Sequence, residues 1–527
     1  MTQKTTDLSP SQSLVAATRD VYRACSAALL PTPAKCHYVF SLRDMARVLH
    51  GVLLVPPTHL SDPGKLLRLW VHEVYRVFSD RLVEDADRHT FLEVVSSQAH
   101  HHFKQTLESL LSHLNVAKSG AKLKDEHVRN LLFVDYLNPD DSSKVYDEVT
   151  DISTLASVVE HYLAEYNRIH KTPLNMVMFK YAIEHISRIS RVLKQGSGHL
   201  LLIGVSGCGR RYVVRLATFM AGYKYCSIEM APGYTSVQWR EDLKKVLMTA
   251  GGDGQPMSFL FSDTQVTNDA MVEDINMILH SGDIPNLFAA DEKGEIMEKM
   301  QVKAKEMGRK VDAMSLSLYN FFVDRVRQNL HLVLHVSPLN PAFRSRLLRF
   351  PTLISCCTLD WFQAWPEGAL EMVATKFLDK VALDEGLRPQ LVTLCMSFNS
   401  CVHRLAKRCC NLKNWADIRL QLCGDNRFYE ELGRRTYITP SSYLELILTF
   451  QSLLDRKQKE LLQQRNRYLK GYLANSGIIK SQQSTKLSKG LNFVPSQKLD
   501  TPRTIASIET SIKNLAESNK EKMLYIF

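Results

Sequence analysis

Between Gly204 and Arg211 the chain reads GVSGCGRR, and these residues are of the kind that could hold a phosphate group. Glycines let successive backbone N–H groups point into one concavity, and a helix starting just after them adds the positive end of its dipole. Gly204 and Gly209 stand at the spacing of G-x-x-x-x-G-K-[ST], with Val205, Ser206, Gly207 and Cys208 between them. The next two positions depart from that pattern. Arg210 stands where a phosphate-reaching lysine belongs, and Arg211 where a small hydroxyl would hold magnesium. A guanidinium can offer a forked cation to phosphate oxygens, but it cannot ligate a metal cation. Taken alone, the stretch reads equally as an ordinary glycine-rich turn, so its surroundings decide.

Phe259, Leu260 and Phe261 lead into Asp263, a carboxylate at the end of an apolar run. Parallel sheets place ligand chemistry there, and phosphate-loop proteins keep their magnesium-holding aspartate there. Where a glutamate would polarise water, the residue is Thr264. Asp263 by itself also reads as a helix cap; in conjunction with the loop it points to a phosphate-loop descendant. Ser337 and Asn340 follow another apolar run, HLVLHVS, at a position from which a polar side chain can sense a terminal phosphate. Arg344, Arg346 and Arg349 come next. One of them could reach a neighbouring subunit's ligand as an arginine finger, and each taken separately reads as a surface arginine.

The elements that would position these residues follow from periodicity. Four apolar residues enter Gly204 and helical spacing begins at Val213, which gives a strand, a tight loop and a helix start. Met176, Phe179, Ile183, Ile186 and Leu193 form a helical stripe that stops at Gly196 and Gly198. Further short apolar runs at 223–230, 258–265, 331–337 and 353–359 alternate with helical segments, which predicts a parallel sheet covered on both faces. Before residue 130 no strand alternation is evident. Residues 12–30, 37–54, 66–78 and 103–114 carry helical patterns, so the first part is predicted to be mostly helical. His100, His101 and His102 lack a second ligand cluster and read as a solvated helix face.

At 527 residues the chain is long enough for several cores, and 45% hydrophobic with 23% charged residues is the balance of a soluble globular protein. The polar start MTQKTTDLSPSQ carries no signal-peptide pattern, and no apolar run approaches bilayer length. Eleven scattered cysteines without C-x-x-C read as reduced thiols of a cytosolic protein, and nothing in their spacing points to zinc. The net charge of +11 is spread through helices and concentrated after Leu454, with no basic stripe interleaved with aromatics. That pattern predicts a solvated basic helix and tail rather than a nucleic-acid groove, and no membrane partner.

GVSGCGRR, FLFSDTQ, IPNLF, LHLVLHVSPLNPAFRSRLLRFP, TLDWFQAWP and YITPSSYLELILTF, in this order, resemble the fourth AAA+ module of dynein heavy chains, closer to the axonemal than the cytoplasmic type. LLPTPAKCHYVFSLRDMARVL resembles the lid of the third module, and the resemblance runs over roughly residues 15–473. It implies an α/β fold with an AAA+ P-loop core flanked by helical lids and a short coiled-coil start. The implied organisation is a preceding module's lid at 1–150, a linker at 151–175, the large α/β subdomain at 176–360 and a lid at 361–455. The start of a stalk coiled coil would occupy 456–473 and a largely disordered tail 474–527.

The resemblance further implies ATP or ADP as ligand at Gly204, Val205, Ser206, Gly207, Cys208, Gly209, Arg210 and Arg211, with Asp263 as the Walker B aspartate and Ser337 near the sensor position. Arg349 would be the finger toward the preceding module's site, and Arg43 the lid arginine that contacts nucleotide there. Without the lysine, hydroxyl and glutamate, binding is expected to be weak and independent of magnesium, any magnesium resting on Asp263 alone, and hydrolysis weak or absent. Implied partners are the rest of a dynein heavy-chain ring and dynein intermediate and light chains, in the cytoplasm, cytoskeleton and ciliary axoneme. Microtubules would be reached only through the stalk tip, which these residues do not include. The Ser, Gln, Lys and Gly-rich stretch after residue 473 does not resemble a stalk helix and suggests a truncated or alternatively ended product; the alternative is a structural fragment that binds no nucleotide.

Overall fold

Five parallel strands carry the glycine loop. In the computed structural model, which describes residues 10–33, 35–60, 62–112, 123–139, 144–307, 315–379, 381, 386–409, 423–424, 436–437 and 439–487, the first regular pairing is a small antiparallel ribbon of β1 (Phe133–Val134) and β2 (Asp147–Glu148). The main sheet follows, with β3 (Leu200–Ile203), β4 (Lys224–Ser227), β5 (Met257–Ser262), β6 (Leu330–Val336) and β7 (Thr358–Trp361) in the order β4-β5-β6-β3-β7. Every pairing in it is parallel. β3 and β5, which lead to the loop and to Asp263, are separated only by β6. Strands buried on both faces read as continuous apolar runs, and Leu200 to Ile203 are all buried.

Helices cover both faces. On one side Lys180–Lys194 and Arg210–Ala221 pack through Ile186, Ile189, Val213 and Leu216. On the other, Ser236–Leu247, Asp269–Ser281 and Ser315–Asn329 close around Phe259, Trp239, Ile275 and Phe322. The expected linker at 151–175 is instead largely a helix, Ile152–Ile169, started by Asp151, whose side chain accepts from the Ser153 N–H. Leu155, Val159, Tyr162, Leu163 and Tyr166 recur at helical spacing and are buried in the same core as the loop helix. The apolar run at 353–359 also divides: Thr352–Ser355 is a short helix, and the edge strand begins only at Thr358. Similarly, Phe103 is the last residue of Asp85–Phe103, where Lys104 takes a left-handed cap conformation, and within the helical segment expected at 103–114 the described residues form a short helix, Leu107–Leu110.

The N-terminal helical part is built by Pro10–Ala28, Leu42–Val52, Pro63–Val74 and Asp85–Phe103 around Val21, Trp70, Phe78 and Phe91. A π turn at Tyr75–Ser79 extends the third of these. It carries Arg76 toward a buried ionic seam with the α/β part. There Glu73 accepts from Arg191 Nε at 2.7 Å and from its Nη2, and Tyr146 donates to the same carboxylate at 3.0 Å. Arg188 spans from Asp360 (2.8 Å) to Asp80 (3.2 Å), and His185 joins Asp360 at 2.6 Å. All of these groups are buried.

A C-terminal lid of helices Glu367–Leu378 and Arg388–Cys409 packs Val373 and Val392 against Tyr443 and Ile447. Tyr443 and Ile447 open a single helix, Pro440–Leu487. Its part from Ser452 onward belongs to a second unit, in which Leu461 and Tyr468 of the expected coiled-coil seam lie exposed. The helix does not stop at residue 473 but continues to Leu487. Residues 488–527 of the expected tail lie outside the described residues.

Candidate functional site

The loop expected from spacing is formed. It leaves β3 at Gly204, whose N–H donates to Val336 O at 3.2 Å, and ends where Gly209 caps the helix Arg210–Ala221. Gly207 and Gly209 have φ of +81° and +89°, the left-handed region where a side chain is strained. A Cβ on Gly204 would meet Phe362 Cβ at 2.7 Å, so only glycine lets β3 leave the sheet beside the chain that follows β7. Val205 and Cys208 are buried, Ser206 and Gly207 exposed. The loop and the helix start it leads into lie at the carboxyl edge of the sheet, where β3 ends.

Arg210 departs from its expected place. Its guanidinium is buried and turned inward, donating from Nη1 to Leu202 O (3.2 Å) and Val336 O (2.5 Å) and from Nη2 to Val205 O (3.2 Å). Burial lowers its proton affinity, while Cys208 and Asp263 nearby favour its charge. A guanidinium has the planar fork to satisfy three carbonyls at once, which an ammonium lacks. Arg210 therefore pins the ends of β3 and β6 beneath the loop, and Arg211, exposed on the first turn, is the cation that remains outside.

Asp263 and Ser337 do converge, as the sequence indicated. Asp263 Oδ2 accepts from the Ser337 N–H at 2.9 Å and from Asn340 Nδ2 at 3.4 Å. Thr264 turns its hydroxyl to Ser262 Oγ at 3.0 Å, and Gln265 holds the Ser262 N–H at 2.7 Å and donates to Ile228 O. Magnesium does not fit this donor set. Asp263 is the one carboxylate placed at this edge by these contacts, one of its oxygens is already committed, and an arginine replaces the loop hydroxyl.

Two neighbours were not foreseen. His335, on β6 between Leu202 and Ser262, meets Ser262 Oγ through Nδ1 at 3.1 Å. Burial first, and then Arg210 and Arg211, push its pKa down to about 3, so it is a neutral polar group under the loop. The signal was available: a histidine within an apolar run, two residues before Ser337, must find a polar partner. Ser441, at the start of the lid helix, packs on the loop so closely that a Cβ on Gly207 would come within 2.5 Å of its own Cβ. Nothing local in TPSS marks that approach.

Arg43 and Arg349 are not brought to this loop. Arg349 ends the helix Pro341–Arg349 and pairs at the surface with Asp269 (2.8 Å) and Glu273 (3.3 Å). Arg43 lies against the residues before β7, donating to Ser355 Oγ (3.4 Å) and Cys356 Sγ (2.7 Å).

Residues 174–416 match the family described as P-loop containing dynein motor region D4, and residues 14–113 match the AAA+ lid domain family. Over 458 residues the chain is 48% identical to dynein axonemal heavy chain 3 of Homo sapiens, covering 87% of this chain and 11% of that protein. The chain belongs to the axonemal dynein heavy-chain family. It is also 39% identical to dynein axonemal heavy chain 1 of Mus musculus over 464 residues, 88% of this chain and 10% of that one. With dynein axonemal heavy chain 6 of Homo sapiens it shares 37% over 466 residues, again 88% and 10%. The chain thus spans about a tenth of the length of the dyneins it matches. Within that span it has the AAA+ α/β core, with strand order β4-β5-β6-β3-β7 and helical lids on either side in sequence.

Proposed function

We propose that this stretch is a regulatory nucleotide-holding module of an axonemal dynein heavy chain, one that retains ATP or ADP weakly and does not turn it over. The supporting observation is the pairing of a formed phosphate loop with an inward-locked Arg210. Phosphate contacts that come from backbone survive in such a loop, and the contacts that drive chemistry do not. The amides of Gly204 to Gly209 and the start of the following helix would bind the phosphates, Arg211 would balance their charge, and Asp263 and Ser337 would stand beside the terminal phosphate. Thr264 has no carboxylate with which to orient water, a function worth on the order of a hundredfold or more in rate. Arg349, still half exposed, would serve as the finger toward a preceding module's nucleotide, and Arg43 would belong to that module's lid. The wider protein would be a multi-subunit motor that acts on microtubules in the ciliary axoneme, reaching them through parts other than these residues.

Isothermal titration of ADP and ATP, with magnesium and with chelator, tests the reading. Weak binding that is indifferent to chelator and falls steeply with salt is expected, together with negligible ATP turnover. Binding that vanishes with chelator, or turnover of several per second abolished by Asp263→Asn, would overturn it. A second reading, a purely structural module, draws support from Ser441 seated on Gly207. Absence of binding at millimolar nucleotide in both conditions would favour it.

A further inference from the structure

The helix Pro341–Arg349 is held at its start by a carboxylate that does not belong to it. Asn340 works in two directions there: its Oδ1 caps the helix by accepting from the Ala342 N–H at 3.0 Å, and its Nδ2 donates to Asp263 Oδ2 at 3.4 Å. The same carboxylate oxygen accepts from the Ser337 N–H at 2.9 Å, so Asp263 fixes the approach to the helix as well as its cap. At the other end the helix meets its neighbour, Asp269–Ser281, only through the surface pairs of Arg349 with Asp269 and Glu273.

Between these two helices and the sheet is a void of about 50 Å³, lined by Phe343, Leu347, Val272 and Ile275 together with Asp263 and Arg346. Apolar walls that do not touch forfeit dispersion contacts, so a closer arrangement of the two helices would pack better. Arg346 gives an independent sign of the same thing. Its Nε is buried with no hydrogen-bond partner among the described residues, and Asp269 Oδ1 stands 3.7 Å away, just outside hydrogen-bond reach. A shift of less than about 1 Å would turn that approach into a charge-assisted hydrogen bond and would narrow the void in the same movement. The contact that opposes this shift is the tether from Asn340 to Asp263.

We propose that Pro341–Arg349 is a two-position arm governed by Asp263. While Asn340 is bound to Asp263 the arm stands off; once Asn340 is freed the arm closes on Asp269–Ser281, Arg346 pairs with Asp269 and the void is lost. Release by a ligand rests on the reading of the loop given above: a terminal phosphate beside Asp263 would take the Asn340 amide as its own donor, so ATP would close the arm and ADP would not.

The test follows the void. 4-Fluorophenylalanine at position 343 of the full chain reports the packing there by fluorine NMR, and xenon probes the void, since dry apolar cavities take it up. Asn340→Asp keeps a good helix cap and sets a like charge against Asp263. It should shift the fluorine resonance and remove its response to xenon, and Asp263→Ala should do the same without adding charge. Arg346→Met combined with Asn340→Asp should bring the xenon response back. The arm is overturned if the native chain does not respond to xenon, if both single variants leave the resonance and its xenon response unchanged, or if the shift survives Arg346→Met. ATP added to the native chain should reproduce the Asn340→Asp shift. If calorimetry shows ATP bound and the resonance stays where it was, the link between arm and ligand is wrong. If no nucleotide binds and the variants still respond, the arm stands and the reading of the loop falls.

Discussion

Arg210 and Arg191 are both buried arginines, yet they serve opposite arrangements. Arg191 meets a carboxylate, Glu73, in the seam between the N-terminal helices and the α/β part, and Arg188 beside it is shared by Asp80 and Asp360. Arg210 meets three carbonyl oxygens and the Cys208 side chain, at the edge where a lysine would have reached phosphate. In the seam, charge is matched by charge and the two parts are locked to each other. At the loop, a cation has been withdrawn from ligand chemistry and set to hold the strands. The comparison teaches that a phosphate loop can lose its catalytic cation and keep its shape, because the backbone nest is held from beneath by the same side chain that no longer reaches out.

The seam should give the larger response when broken. Glu73→Ala leaves Arg191 buried without its counter-charge, and breaking such a pair from one side typically costs about 3–5 kcal/mol. Urea unfolding should show that loss, while Glu73→Leu combined with Arg191→Met should recover most of it, since an apolar pair of similar volume avoids desolvation. Recovery no better than the single variant would mean that Tyr146, which also donates to Glu73, carries the cost instead.

Arg210→Met tests the other half of the comparison. Three carbonyls lose their donor, and stability should fall by about 2–3 kcal/mol. If backbone supplies the phosphate contacts, nucleotide affinity should change less than stability does, whereas Arg211→Ala should weaken affinity and spare stability. The reverse pattern in titration and melting experiments would place Arg210 in contact with phosphate. Arg210→Lys should not rescue stability, for want of the fork.

Acid should affect both regions in the same direction. His37 near the seam and His335 near the loop are each held at a pKa of about 3, first by burial and then by adjacent guanidinium groups (for His37, Arg81). The unfolded chain takes up these protons near pH 6.5, and the folded chain refuses them until about pH 3. Stability is therefore fully present above the unfolded value and lost as pH falls toward the folded one, by up to about 1.4 kcal/mol per pH unit for each histidine. Melting temperature should drop between pH 7 and pH 5, and His37→Gln and His335→Gln should each make the slope shallower. A slope changed by the first and not the second would mean that water reaches His335, and that the loop edge is wetter than the seam.

Much of this was legible in the sequence, for physical reasons that differ from place to place. Glycine spacing and the apolar entry located the loop, since only glycine adopts the φ that Gly207 and Gly209 require. Asp263 and Ser337 were found because buried parallel strands end abruptly in polar residues. What stayed hidden was direction. Nothing in GRR distinguishes an arginine reaching out from one folded under, because that depends on carbonyls contributed by β3 and β6 from 126 residues apart for Arg210 and Val336. The organisation implied by resemblance makes 151–175 a linker, although Leu155, Val159, Tyr162 and Tyr166 recur at helical spacing, and Ser441 over Gly207 joins positions far apart in the chain.

The smallest effect is expected at Arg349, and it sharpens the comparison by concerning an arginine that is neither locked in nor folded under. Its side chain is 57% exposed, and its partners Asp269 and Glu273 are about half exposed as well. Such pairs are screened by water and salt and contribute under about 1 kcal/mol. Arg349→Ala should therefore leave melting temperature and denaturant midpoint nearly unchanged in this chain. The proposed finger role assigns the residue to a neighbour's nucleotide, so its loss should be visible only when a preceding module is present, as slower turnover there with unchanged folding here. A clear destabilisation of the isolated chain would show instead that Arg349 is a clamp between two helices of its own module, held in place as Arg188 is held in the seam, and would remove it from the list of fingers.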